Sequence, residues 1–159
     1  MKNLIGMIAF TILASCLTQE AHALPDFKKA FANKYAAKHE SKDFQAAVKK
    51  ASCNACHVKG AKKNVQNEYG KLLNKLIEGD ADKIIKDAKK EGKEAGDKAK
   101  ADILAALEKA FDKAAKEKSE KGKGPTYGEL IKAGKLPVDV AKAQADYKAE
   151  QAKRKESEG

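Results

Sequence analysis

Apolar positions recur at helical spacing from residue 27 onward, and no run alternates as a strand would. Phe27, Phe31, Tyr35 and His39 follow one another at i+4 steps. They form one stripe of a first helix that begins at "LPD", where Pro25 and Asp26 are start signals. Ser41 or Asp43 caps a second helix, "DFQAAVKKASC", with Phe44, Ala47, Val48 and Ala51 facing inward. Gly60 and the lysines after it read as a loop. A third helix over "NVQNEYGKLLNKLIEG" buries Val65, Tyr69, Leu72, Leu73 and Leu76 and stops near Gly79. The segment "KIIKDAKKEGKEAGDKAK" (83–100) is heavily charged and broken by Gly92 and Gly96, a pattern that fits either a marginal helix or a mobile connection.

Ile103, Leu104, Leu107 and Phe111 mark a fourth helix in "ADILAALEKAFDKAAK", which "SEKGKG" interrupts. In "PTYGELIKAGKLP" (125–137), Thr126 and Glu129 form a capping-box pattern, Gly134 can end the turn and Pro137 prevents continuation. A last helix runs from Val138 through Tyr147, and the charged residues 148–159 read as a disordered tail. The predicted fold class is all-α, a small irregular helical domain over 24–147. Aromatic residues make up only 6% of the chain, so something other than side chains is expected to fill its middle.

Residues 1–23 follow a different pattern. Lys2, the apolar run "LIGMIAFTILA" (4–14) and the small-x-small site "AHA" (21–23) make an export signal. Cutting after Ala23 starts the mature chain at Leu24. "LASC" (13–16) also resembles a bacterial lipoprotein signal, in which Cys16 is lipidated and tethers the protein to a membrane. The two fates stay open, and both place the chain in the periplasm or otherwise outside the cytoplasm. No later segment is apolar enough to span a bilayer.

Charge narrows the partners. The formal net charge is +10, and Lys2 and Glu20 cancel within the signal. A field of that sign favours acidic partners or an anionic surface, although a solvated lysine-rich helical surface has the same composition. Nucleic acid is excluded as a partner, because no aromatic-basic recognition motif accompanies the lysines in an exported chain.

The candidate chemistry lies in "KKASCNACHVKG" (49–60). Cys53 and Cys56 are the only thiols left after processing, and His57 follows the second directly. Zinc would need a second ligand pair with its own spacing, and Cys56 and His57 diverge as neighbours on a helix. A thiol–disulfide exchanger expects a preceding strand, which is missing here. C-x-x-C-H is the spacing of covalent c-type haem attachment. Cys53 and Cys56 share one helical face and can add to two vinyl groups, and His57 can give its imidazole to the iron.

With "CNACH", the helix entering it and "YGKLLNKLI" after it, the stretch 40–78 resembles the small single-haem c-type cytochromes. The resemblance implies a cytochrome-c-like helical domain around one haem c, with Cys53 and Cys56 as thioether sites and His57 as proximal iron ligand. Most such proteins take a downstream methionine as sixth ligand. Here the only methionines are Met1 and Met7, both in the signal. His22 leaves with the signal, so His39 is the remaining imidazole and the expected second metal ligand. An open iron, or a lysine or tyrosine donor, is the alternative.

The expected function is electron transfer by an exported single-haem cytochrome to acidic, transient redox partners. The alternative is a haem protein that binds or senses a gas or peroxide at a free sixth position. No second histidine–carboxylate constellation accompanies the motif, which favours a carrier over an enzyme.

Overall fold

Eight helices follow one another from Pro25 to Ser157, the range described by a computed structural model of the chain. The expected export signal, with Cys16 and His22, lies outside the described residues. Among the described residues there is no sheet, only two isolated bridges, His57–Gln66 and Lys118–Thr126. None of the described helices is long and apolar enough to cross a membrane.

Helix α1 (Pro25–Phe31) runs directly into a π-helical turn, Ala32–Ala36. Helix α2 (Lys42–Ala51) starts at Ser41, whose hydroxyl accepts the Phe44 N–H at 3.2 Å. Helix α3 (Glu68–Ile77) begins later than the sequence pattern suggests, because Asn67 is its cap. It ends where Glu78 takes the left-handed region, φ 60°.

The charged segment 83–100 is ordered as a helical hairpin. Helix α4 (Ala81–Glu91) is capped by Asp80, and α5 (Lys93–Ala114) returns along it after a break at Gly92, φ 137°. Gly96 allows the close approach, since a Cβ there would lie 3.2 Å from Lys89 Cα. Ala81, Ile85 and Ile103 are buried between the two arms. Burying these three side chains settles the choice between helix and mobile connection that composition leaves open.

A short turn α6 (Ser119–Gly122), with Glu120 and Lys121 in left-handed conformations, leads to α7 (Tyr127–Lys132). The capping box of α7 forms as the sequence predicts: Glu129 N–H donates to Thr126 Oγ1 at 3.2 Å, and Thr126 N–H to Glu129 Oε2 at 2.7 Å. Helix α8 (Val140–Ser157) extends ten residues beyond the expected end, through the segment read as a disordered tail. It buries no residue. Its Ala, Lys, Gln and Glu composition is strongly helix-forming, and Arg154 pairs with Glu150 one turn away.

The core lies where α5 crosses α1 and α3. Phe31 stands at its centre, edge to face with Tyr35, Tyr69 and Phe111 at centroid distances of 5.2, 6.0 and 5.9 Å. Phe44, Leu73, Leu107, Tyr127 and Ile131 complete it. This cluster is continuous, so the thin apolar inventory still closes a centre, with a cleft beside it.

Candidate functional site

Helix α2 delivers the C-x-x-C-H stretch. Ser52 leaves the helix at φ 53°, ψ −123°, a conformation that costs a residue with a Cβ about 1–3 kcal/mol. Ser52–Ala55 then form one 3₁₀ turn. The N–H groups of Cys56 and His57 both return to the Cys53 carbonyl, at 3.2 and 3.0 Å. Cys53 is exposed, whereas Cys56 and His57 are half-buried.

Two residues of the following helix hold this turn. Asn67, only 4% exposed, donates through Nδ2 to the carbonyls of Asn54 and Ala55 at 3.2 Å each and of His57 at 3.4 Å. Its Oδ1 accepts the Gly70 N–H at 3.0 Å, and its own N–H bonds the Cys56 carbonyl at 3.0 Å. One side chain therefore caps α3 and satisfies the buried carbonyls of the motif. Gly70 lets α3 come this close: a Cβ there would sit 2.9 Å from the Cys56 carbonyl carbon and closer still to its oxygen.

The motif opens on a cleft. Cys53, Cys56 and His57 line it with Phe27 and Phe31 of α1, Leu73 and Ile77 of α3, and Leu107 and Phe111 of α5. Its enclosed volume is about 80 Å³, and its atom-free space with the open mouth included is about 670 Å³. A site that encloses its ligand typically offers roughly 300–1,000 Å³. A tetrapyrrole would therefore use the open mouth, or part the walls, and keep an edge toward solvent.

The donor set fits such a group. His57 lines the cleft, and its Nδ1 is buried without a hydrogen-bond partner. Burial pushes the imidazole pKa down, while the backbone of Val65 and Lys63 acts in the opposite sense. The net effect favours the neutral, metal-binding form. An iron-bound imidazole usually gives its other N–H to a backbone carbonyl, and the backbone of Val65 and Lys63 lies within reach of the His57 ring.

The other two readings find less support in this geometry. Burial pushes the Cys56 thiol up to about 12, and the nearby Cys53 adds to the shift, whereas a disulfide exchanger needs a stabilised thiolate. The motif also sits at the C-terminal end of α2, where the helix dipole disfavours an anion. Among the described residues no three His, Cys, Asp or Glu side chains converge as a metal-ion site.

His39 is not brought to this cleft. Its Nε2 is 2.9 Å from the Ile131 carbonyl, its Nδ1 accepts the Ser41 N–H at 3.1 Å, and its ring lies 4.4 Å from that of Phe44. Both nitrogens are thus engaged by backbone, with the proton on Nε2. The cause is local. The helix that carries Phe27, Phe31 and Tyr35 ends with the π turn at Ala36, so His39 lies beyond it. Here His39 ties the chain before α2 to α7, and it is not placed as an iron ligand.

Asn67, Gly70 and Lys28, which also lines the cleft, were not legible as site residues. A glycine inside an otherwise helical pattern was the available signal for Gly70, since it needs a packing reason. Asn67 could be read as a cap, but its carbonyl partners belong to the tertiary fold.

Comparison of the chain with protein-family models, with characterised proteins and with solved structures gives no match.

Proposed function

We propose that this is an exported single-haem c-type cytochrome-like protein that carries electrons, with haem c held by Cys53, Cys56 and His57. The observation that carries the proposal is the opening of C-x-x-C-H on an apolar cleft, with both cysteines and His57 in its lining. When bound, the haem supplies a one-electron ferric/ferrous couple. Cys53 and Cys56 would fix the group by thioether bonds and His57 would bind the iron. Phe27, Phe31, Leu73, Leu107 and Phe111 would exclude water from its inner part. Asn67 and Gly70 hold the backbone turn that aims the three attachment residues. Replacing either cysteine by alanine should weaken attachment and replacing both should abolish it, as read by haem stain on the denatured chain. Full haem stain on the double variant would refute the proposed attachment.

The charge distribution along the segment that carries the motif supports an acidic partner. Residues 44–67 contain Lys49, Lys50, Lys59, Lys62 and Lys63 and no Asp or Glu. All five lysines are exposed, and none makes an ion pair among the described residues. Elsewhere both signs are interleaved, as on α4. Steering by such a field raises association rates on the order of 10-fold or more and fades once the screening length falls to about 8 Å. Electron transfer to an acidic acceptor protein should slow steeply as salt rises, and Lys59→Glu with Lys62→Glu should flatten that dependence. A rate indifferent to salt would reduce these lysines to a solvated surface.

A second reading, a haem protein that binds a small gas or peroxide, is favoured by one observation. His39 is engaged elsewhere, and residues 25–159 contain no methionine, so neither expected residue fills the sixth position.

A further inference from the structure

Besides the motif, the polar side chains lining the cleft are Lys28, Ser52, Gln66 and Asn74. Hydroxyl and carboxamide groups are weak donors to haem iron, whereas a neutral amine is a strong one. Lys28 is therefore the one cleft residue outside the motif with the chemistry of an axial ligand. It is also on a helix that is held in place. Asp26, two residues before it, pairs with Lys100 of α5 at 2.7 Å, and Lys34 after it pairs with Asp112 at 2.8 Å and Glu108 at 3.3 Å. Between these ties Phe31 is packed against Tyr69 and Phe111.

The same ion pairs occupy the nearby carboxylates. Lys28 makes no salt bridge among the described residues, so no ion pair holds its side chain away from the cleft. The four-carbon stem places a nitrogen donor at the end of a flexible arm anchored beside Phe27 and Phe31.

We infer that Lys28 supplies the second axial nitrogen of the haem centre, an inference that rests on the haem proposal above. The iron would then be six-coordinate, closed to gases by an internal ligand that can be displaced. Lys28 is exposed, so its replacement leaves the core untouched.

The test compares full-length holoprotein of the parent chain with Lys28→Ala, Lys28→Arg and His39→Ala, each matured in a host with haem-attachment machinery. Arginine keeps the charge and the stem but stays protonated and cannot bind iron. The parent ferric spectrum should be low-spin, and both Lys28 variants should become high-spin. Their ferrous forms should bind carbon monoxide faster, on the order of 10-fold or more, because the competing internal ligand is gone. His39→Ala should keep the parent spectrum.

A parent protein that is already high-spin would overturn the inference and leave the open-site reading, whereas a Lys28→Arg variant that stays low-spin would overturn it in favour of another internal donor. If the parent carries no haem, both proposals fall together, and that outcome appears as missing mass instead of an unaltered spin state.

Discussion

Gly70→Ala should destabilise the chain by about 2 kcal/mol or more and lower the yield of haem-loaded protein. In an ordinary helix interior the same change would stabilise by about 1 kcal/mol, because alanine is the better helix former. Here the new methyl would collide with the Cys56 carbonyl, a backbone group pinned by the Asn67 N–H at 3.0 Å. Overpacking against such a neighbour costs about 1–3 kcal/mol and sometimes more, since no flexible side-chain end can swing away. The two effects have opposite sign, so urea unfolding midpoints decide between them. A neutral or stabilised Gly70→Ala would mean that α3 does not seat on the motif as described.

The second large effect belongs to Asn67, and its value lies in two substitutions read together. Asn67→Ala removes the cap of α3, worth about 1 kcal/mol, and strands buried carbonyls of the motif, worth about 1–3 kcal/mol more. The expected loss is about 2–4 kcal/mol. Asn67→Asp keeps an oxygen for the Gly70 N–H but has no hydrogen for Asn54, Ala55 or His57, and it turns a negative charge toward their carbonyls. At neutral pH it should therefore be at least as damaging as alanine. If Asn67 served only as a helix cap, aspartate would leave stability near that of the parent. Equilibrium unfolding of the two variants side by side separates these roles.

Much of this fold could be read from periodicity and punctuation. The apolar spacing of Phe44, Val48 and Ala51, and of Leu107 and Phe111, gives faces that are in fact buried, and the Thr126–Glu129 capping box forms as its residues suggest. These are local signals, written within one or two helical turns. What was missed is tertiary or depends on a local irregularity. An unbroken α-helix would carry the i+4 stripe to His39, but the helix ends with the π turn at Ala32–Ala36. The charged segment 83–100 could be assigned only once Ile85 met Ile103 across the hairpin, a pairing that its polar composition hides.

The candidate site divides in the same way. Cys53, Cys56 and His57 lie within five residues, so their spacing alone points to the proposed chemistry. Lys28 is remote from them in sequence and reaches the cleft only because Phe31 docks α1 on α5 and α3. No pattern within either segment announces that approach.

Covalent haem at Cys53 and Cys56, as proposed, is read from the mass of the full chain expressed in a host with haem-attachment machinery. The claim predicts an added mass of one haem that survives acid-acetone extraction, together with a c-type pyridine haemochrome spectrum. A mature chain at its polypeptide mass, or a haem that leaves on extraction, would contradict it.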